Sequence, residues 1–288
     1  MRADRIRPWV YLAPALILYS VFLLYPIGRS VHLSLFDWDG LTLATFVGVD
    51  NYLDIAADAD LRTAFGNALV LIAFFALLPT ALGLIAAAVL SRARVFGTAA
   101  VRTIIFLPQV IAMVVVAVAW RQILAPDGHL NTLLRAVGLE GLTRAWLGDY
   151  DFAIVAVGLV GTWVNTGLVT VLLMAGMARI PSQLYEAARL DGAGPIREFF
   201  SITLPSVRAE IMIGLTLTII ASLKTFDLVY VMTSGGPGRA TTVPSYEVFM
   251  RAFDRGEVGS AAAVGVTLTV IILLITLLVN RLGDRRDA

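Results

Sequence analysis

"SQLYEAARLDGAGPIREFFSITLP", residues 182–205, is a polar island in a chain of 288 residues that is 58% hydrophobic and only 15% charged. Ser182 to Leu190 carries no helix breaker, and Pro181 before it suits a first turn. Gly192 and Gly194 then offer the positive φ that a helix end and a tight turn need. Pro195 opens a second short helical stretch. Leu204 precedes Pro205 and is biased away from helix, so a break is expected between them. The stretch reads as two short helices separated by a glycine turn.

Outward from it, the chain is a series of apolar runs, with approximate bounds 9–35, 68–90, 102–124, 152–177, 210–232 and 260–280. Each is close to the ~20 residues that cross a bilayer as helix. Lipid offers backbone groups no water partner, so such runs must close their own hydrogen bonds as helices. A mean hydropathy of +0.83 excludes a soluble surface. The expected fold is an all-α integral membrane protein with six transmembrane helices and a loop, 178–209, between the fourth and fifth. The first run follows Arg2, Arg5 and Arg7, as a signal peptide would. It is long for an h-region and no A-x-A-like site follows, so it reads as a retained anchor.

Basic residues in loops set orientation. With the N-terminus in the cytoplasm, thirteen arginines face inside: Arg2, Arg5, Arg7, Arg92, Arg94, Arg102, Arg179, Arg189, Arg197, Arg208, Arg281, Arg285 and Arg286. Six face outside: Arg62, Arg135, Arg144, Arg239, Arg251 and Arg255. Both termini and the 178–209 loop are therefore expected on the cytoplasmic side of a membrane, with the spans in contact with lipid.

No catalytic constellation is present. There is no G-x-S-x-G or H-E-x-x-H, and the two histidines are far apart, so no catalytic or metal residue is assigned. A G-x-x-x-x-G-K-[ST] phosphate loop is also missing, so the chain has no nucleotide site of that kind. A net charge of +1 gives no argument for nucleic acid. Polar groups within spans face a bundle interior or a wet cavity. They are Gln109, Asn165, Lys224 and Asp227, the last two three residues apart, so that they share a helix face and can neutralise each other. Trp163, Phe226 and Tyr230 are aromatic neighbours of these groups. Packing is the competing reading for all seven. An ion-coupled carrier is the rival class, but only Asp227 qualifies as a buried relay acid.

Glu186-Ala187-Ala188, three residues, Gly192, nine residues, Ile202, one residue, Leu204-Pro205 resembles the EAA loop of ABC importer permeases. "LYPIGRSVHLSLFDW" (24–38), "FVGVDNY" (46–52), "RTIIFLPQVIAMVVVAVAWRQIL" (102–124) and "LKTFDLVYVMTSGGPGRAT" (223–241) resemble the carbohydrate-uptake branch, of maltose and glycerol-phosphate type. The resemblance implies a single permease domain over 1–288, in which Glu186, Ala187, Ala188, Asp191, Gly192, Leu204 and Pro205 form the ATPase-coupling site. It implies as partners a second homologous permease, two ATP-binding subunits that carry ATP and Mg, and an extracytoplasmic solute-binding protein. Gln109, Trp163, Asn165, Lys224, Phe226, Asp227 and Tyr230 become the candidate substrate pathway. A sugar is the expected cargo, with a glycerol-phosphate or polyol as the alternative.

Overall fold

The computed structural model describes residues 3–92 and 97–284. Arg2, Arg94, Arg285 and Arg286 of the charge argument lie outside them. Among the described residues, four helices are long and apolar enough to cross a membrane: Tyr11–Leu33, Ala59–Ser91, Ala153–Met177 and Val258–Arg281. Two helix pairs qualify only jointly. Ala99–Val110 turns by 98° into Met113–Ile123, and Pro195–Ser206 turns by 66° into Arg208–Leu223. Among the described residues, strand is confined to a two-residue antiparallel ladder, Phe36–Asp37 with Thr45–Phe46.

The chain divides into two compact units. One comprises Met1–Leu61 with Glu247–Val270, the other Arg62–Tyr246 with Ile271–Ala288. In the first, Ile55, Leu61, Ala263 and Val264 form a core that Tyr52 and Val248 flank. Asp58 caps the helix that starts at Ala59. Its Oδ1 accepts the Asp60 and Leu61 N–H groups at 2.8 and 3.2 Å, and its Oδ2 takes Arg251 Nη2 at 2.5 Å.

In the second unit Ala153–Met177 is the central helix, packed against the helices that end at Ser91 and Val110. Small residues set these approaches, as expected where lipid supplies no hydrophobic drive between helices. A Cβ on Gly161 would stand 2.0 Å from the Phe75 ring, and one on Gly167 would stand 2.3 Å from the Ile105 carbonyl oxygen. Ala87, Val169, Leu173 and Val207 complete the interior near its C-terminal end.

Three prolines inside these helices share one solution. Pro26, Pro79 and Pro205 each follow a π-helical turn, at Ser20–Leu24, Ala73–Leu77 and Phe199–Thr203. A proline removes one N–H and crowds the carbonyl four residues back, and a wider turn relieves both. The expected break between Leu204 and Pro205 is corrected on this ground. The helix runs through Pro205 and ends at Ser206, and the elbow falls at Val207 (φ −97, ψ +14).

A second correction concerns Lys224 and Asp227. The helix Arg208–Leu223 stops short of both, and Asp227 starts a new helix, Asp227–Met232, after Phe226 at φ −132. Buried Thr225 holds the gap, its carbonyl accepting the Ser245 hydroxyl. The two charges therefore do not share a continuous helix face.

Candidate coupling surface and solute pathway

The helix Ser182–Leu190 is closed by a complete Schellman arrangement. Gly192 (φ +78) donates its N–H to Arg189 O at 3.0 Å, and Ala193 donates to Ala188 O at 2.8 Å. Asp191 is the last residue before the left-handed turn, and its N–H reaches Ala187 O at 3.0 Å. A Cβ added at Gly192 would meet open space, so it is φ alone that favours glycine there. Gly194 and Pro195 then start the second helix.

Side chains on this loop sort into two faces. Tyr185 and Ala188 are half-buried, while Leu184, Glu186, Ala187 and Asp191 are exposed. Leu190 (90% exposed), Ile196 (75%) and Phe200 extend the exposed apolar surface. The exposed Leu190, Ile196 and Phe200 were not among the residues singled out from the sequence. Glu186 and Arg189 line a cavity of about 530 Å³ with Ser182, Tyr185, Thr203 and Ser91.

Two contacts cross from the first short helix to the second. Arg189 Nε donates to Glu198 Oε1 at 2.9 Å, and the Tyr185 and Thr203 hydroxyls are 2.9 Å apart. The hydrogen bond and charge of Glu198, reinforced by Glu186, hold the Arg189 guanidinium above its ordinary pKa. Beyond the loop, Arg179 pairs with buried Glu210, which lies against Gly176. Sequence reasoning had no signal for these partners, because each is distant in the chain.

The pathway candidates are not all brought together. Phe226 and Tyr230 stack at 5.1 Å, and Tyr246 lies 6.3 Å from Tyr230. Trp163 is 43% exposed and meets Trp120 edge-on at 5.6 Å. Asn165, two positions on, points to the opposite side of the helix. It is 5% exposed, and its Nδ2 donates to Gly161 O at 2.8 Å. Gln109 is half-buried near the 98° bend, and its Oε1 is buried with no hydrogen-bond partner among the described residues. Lys224 is exposed and Asp227 half-buried. The helix Asp227–Met232 packs on Met113–Ile123, where Arg121 Nη1 donates to Val231 O at 3.3 Å. Asn67 Nδ2 donates to Ala240 O and Thr242 O at 3.0 and 2.9 Å, which ties down the loop that follows Gly235-Gly236-Pro237-Gly238. No cluster of three metal-ligating side chains occurs among the described residues.

Residues 80–287 match the family described as the inner-membrane component of binding-protein-dependent transport systems, and the chain belongs to that family. It is 35% identical over 287 residues to the diacetylchitobiose uptake system permease protein NgcF of Streptomyces coelicolor, covering 94% of this chain and 81% of that one. It is 32% identical over 285 residues to the trehalose/maltose transport system permease protein MalF of Thermococcus litoralis, covering 97% and 94%. Its fold superposes, with a TM-score of 0.85 over 99% of both chains and 23% identity, on a chain of a bacterial ABC transporter involved in import of the polysaccharide alginate. The protein is thus an ABC importer permease of the membrane, a transport subunit and not itself an enzyme.

Proposed function

We propose that this chain is one of two permeases that together carry a sugar across the cytoplasmic membrane, driven by ATP hydrolysed on two separate subunits that bind ATP and Mg. An extracytoplasmic binding protein delivers the solute, and both termini and the 178–209 loop face the cytoplasm. The observation that carries this reading is the Schellman-closed helix Ser182–Leu190, on which Leu184, Glu186, Ala187 and Leu190 are exposed. Ala187 and Ala188 permit close seating in an ATPase cleft, Glu186 supplies a charge, and Asp191-Gly192 fixes the turn. Leu204-Pro205 passes motion across the Val207 elbow into the next span. Sugar is supported by what the two relatives above are named for, and by the aromatic faces of Trp163, Phe226 and Tyr230, which suit apolar ring faces. Gln109, Lys224 and Asp227 supply donors and acceptors for hydroxyls, and what the two relatives are named for favours a neutral sugar.

The deciding experiment reconstitutes the chain with its second permease, ATPase pair and binding protein in liposomes. Uptake of a neutral oligosaccharide should require ATP and all subunits. Uptake without the ATPase pair would overturn the reading. Because the chain has no cysteine, a single Asp191→Cys reporter tests orientation. Labelling should occur in inside-out vesicles and fail in right-side-out ones.

A further inference from the structure

The two contacts between the short helices have mismatched spacings. Tyr185 and Arg189 are four residues apart, which places them on one face of an α-helix. Their partners Glu198 and Thr203 are five apart, and an α-helix would rotate such a pair by about 140°. The π turn Phe199–Thr203, closed by the Leu204 N–H to Phe199 O, brings residues five apart back into line. The extra residue of that turn is therefore what lets both contacts form at once. Their exposure differs sharply. The Glu198 side chain is 3% exposed and that of Arg189 is 63% exposed, so a carboxylate in the interior is paired with a cation at the surface.

We propose that Arg189 and Glu198, seconded by Tyr185 and Thr203, lock Ser182–Leu190 and Pro195–Ser206 into one stiff lever, with Arg189 as a positioning residue rather than a docking one. The inference rests on the docking reading given above. Without the lock the turn through Gly192 and Gly194 is left to hold the two helices at their angle. A push on the exposed face then swings the first helix about that turn and is dissipated. With the lock, the same push reaches the second helix and, past Val207, the helix Arg208–Leu223.

The test uses the whole reconstituted transporter and reads solute moved per ATP hydrolysed. Arg189→Ala and Glu198→Gln should still assemble with the ATPase subunits, and their ATP hydrolysis should stay within about twofold of the parent. Solute per ATP should fall at least fivefold. Arg189→Lys, which keeps the charge, and the exchanged pair Arg189→Glu with Glu198→Arg should each recover part of the loss. A purely structural role would lower assembly, hydrolysis and transport together. Normal solute per ATP in Arg189→Ala, or no recovery in Arg189→Lys, overturns the lever. Ala187→Trp, at an exposed site, separates the two ideas. If it assembles and transports normally, the docking reading fails. If it blocks assembly while Arg189→Ala couples normally, only the lever fails.

Discussion

The Thr162 hydroxyl donates to the Phe74 carbonyl at 2.6 Å. In the π turn the Leu78 N–H already bonds Ala73 O. The next acceptor, Phe74 O, would bond residue 79, which is proline and has no N–H. A threonine on the central helix thus replaces a donor that a proline on its neighbour lacks. Thr162→Val should cost about 1 kcal/mol, the scale of interhelical hydrogen bonds in membranes. It should lower the thermal midpoint in detergent. Pro79→Ala restores a backbone donor, so the double variant should recover most of that loss. Strict additivity of the two changes would refute the coupling.

Gly192 is the position where geometry and coupling meet. Its φ of +78 excludes proline, which also lacks the N–H that Arg189 O accepts. Gly192→Pro should abolish ATP-driven uptake or block assembly with the ATPase subunits. Gly192→Asn, which tolerates the left-handed region, should keep most activity. Equal activity in both variants would remove the turn from the mechanism.

Asp58 makes acid stability sensitive to one side chain. Burial raises its pKa, but hydrogen bonds from the Leu61 and Asp60 N–H groups and from Arg251 outweigh this, and the net shift is downward from 3.8. A carboxyl with a depressed folded pKa contributes stability that is present above the unfolded pKa and lost as pH falls through the folded one. Asp58→Asn keeps the cap but removes the charge facing Arg251. Between about pH 5 and pH 2 the parent should lose stability more steeply than the variant, as read by thermal unfolding across that range. Parallel slopes would contradict this.

Gln109 separates packing from transport. Its buried Oε1 has no partner among the described residues, so an apolar replacement of similar shape removes a desolvation cost. Gln109→Met should leave the unfolding midpoint unchanged or slightly raised. If the amide bonds a sugar hydroxyl, uptake at low solute should fall about tenfold, the equivalent of one hydrogen bond. Unchanged uptake would return Gln109 to a packing role.

Much of this was legible in the chain. Hydropathy runs located the long helices, because a span must be apolar over its whole length. The glycine at 192 and the proline at 195 announced a helix end and a new start, since both act through local backbone chemistry. What escaped depended on groups far apart in sequence. Pro205 looked like a break because the π turn that accommodates it leaves no compositional trace. Lys224 and Asp227 looked like a pair because the interruption between them is held by Ser245, twenty residues away. Trp163 and Asn165 were grouped as pathway residues, yet a two-residue step on a helix sends them to opposite sides.

The 98° turn between Val110 and Met113 has a bearing on hydration. The last carbonyls of one helix and the first amides of the next have no partners within their own helices, and here both sets gather at Ile111 and Ala112. Hydrocarbon cannot solvate such dipoles, so this point in an otherwise oily stretch must be wetted or covered by protein. A solute crossing there would meet main-chain donors and acceptors whose supply is independent of side-chain identity. The selectivity of such a stretch would then be open to change by substitution around it without loss of its polar floor.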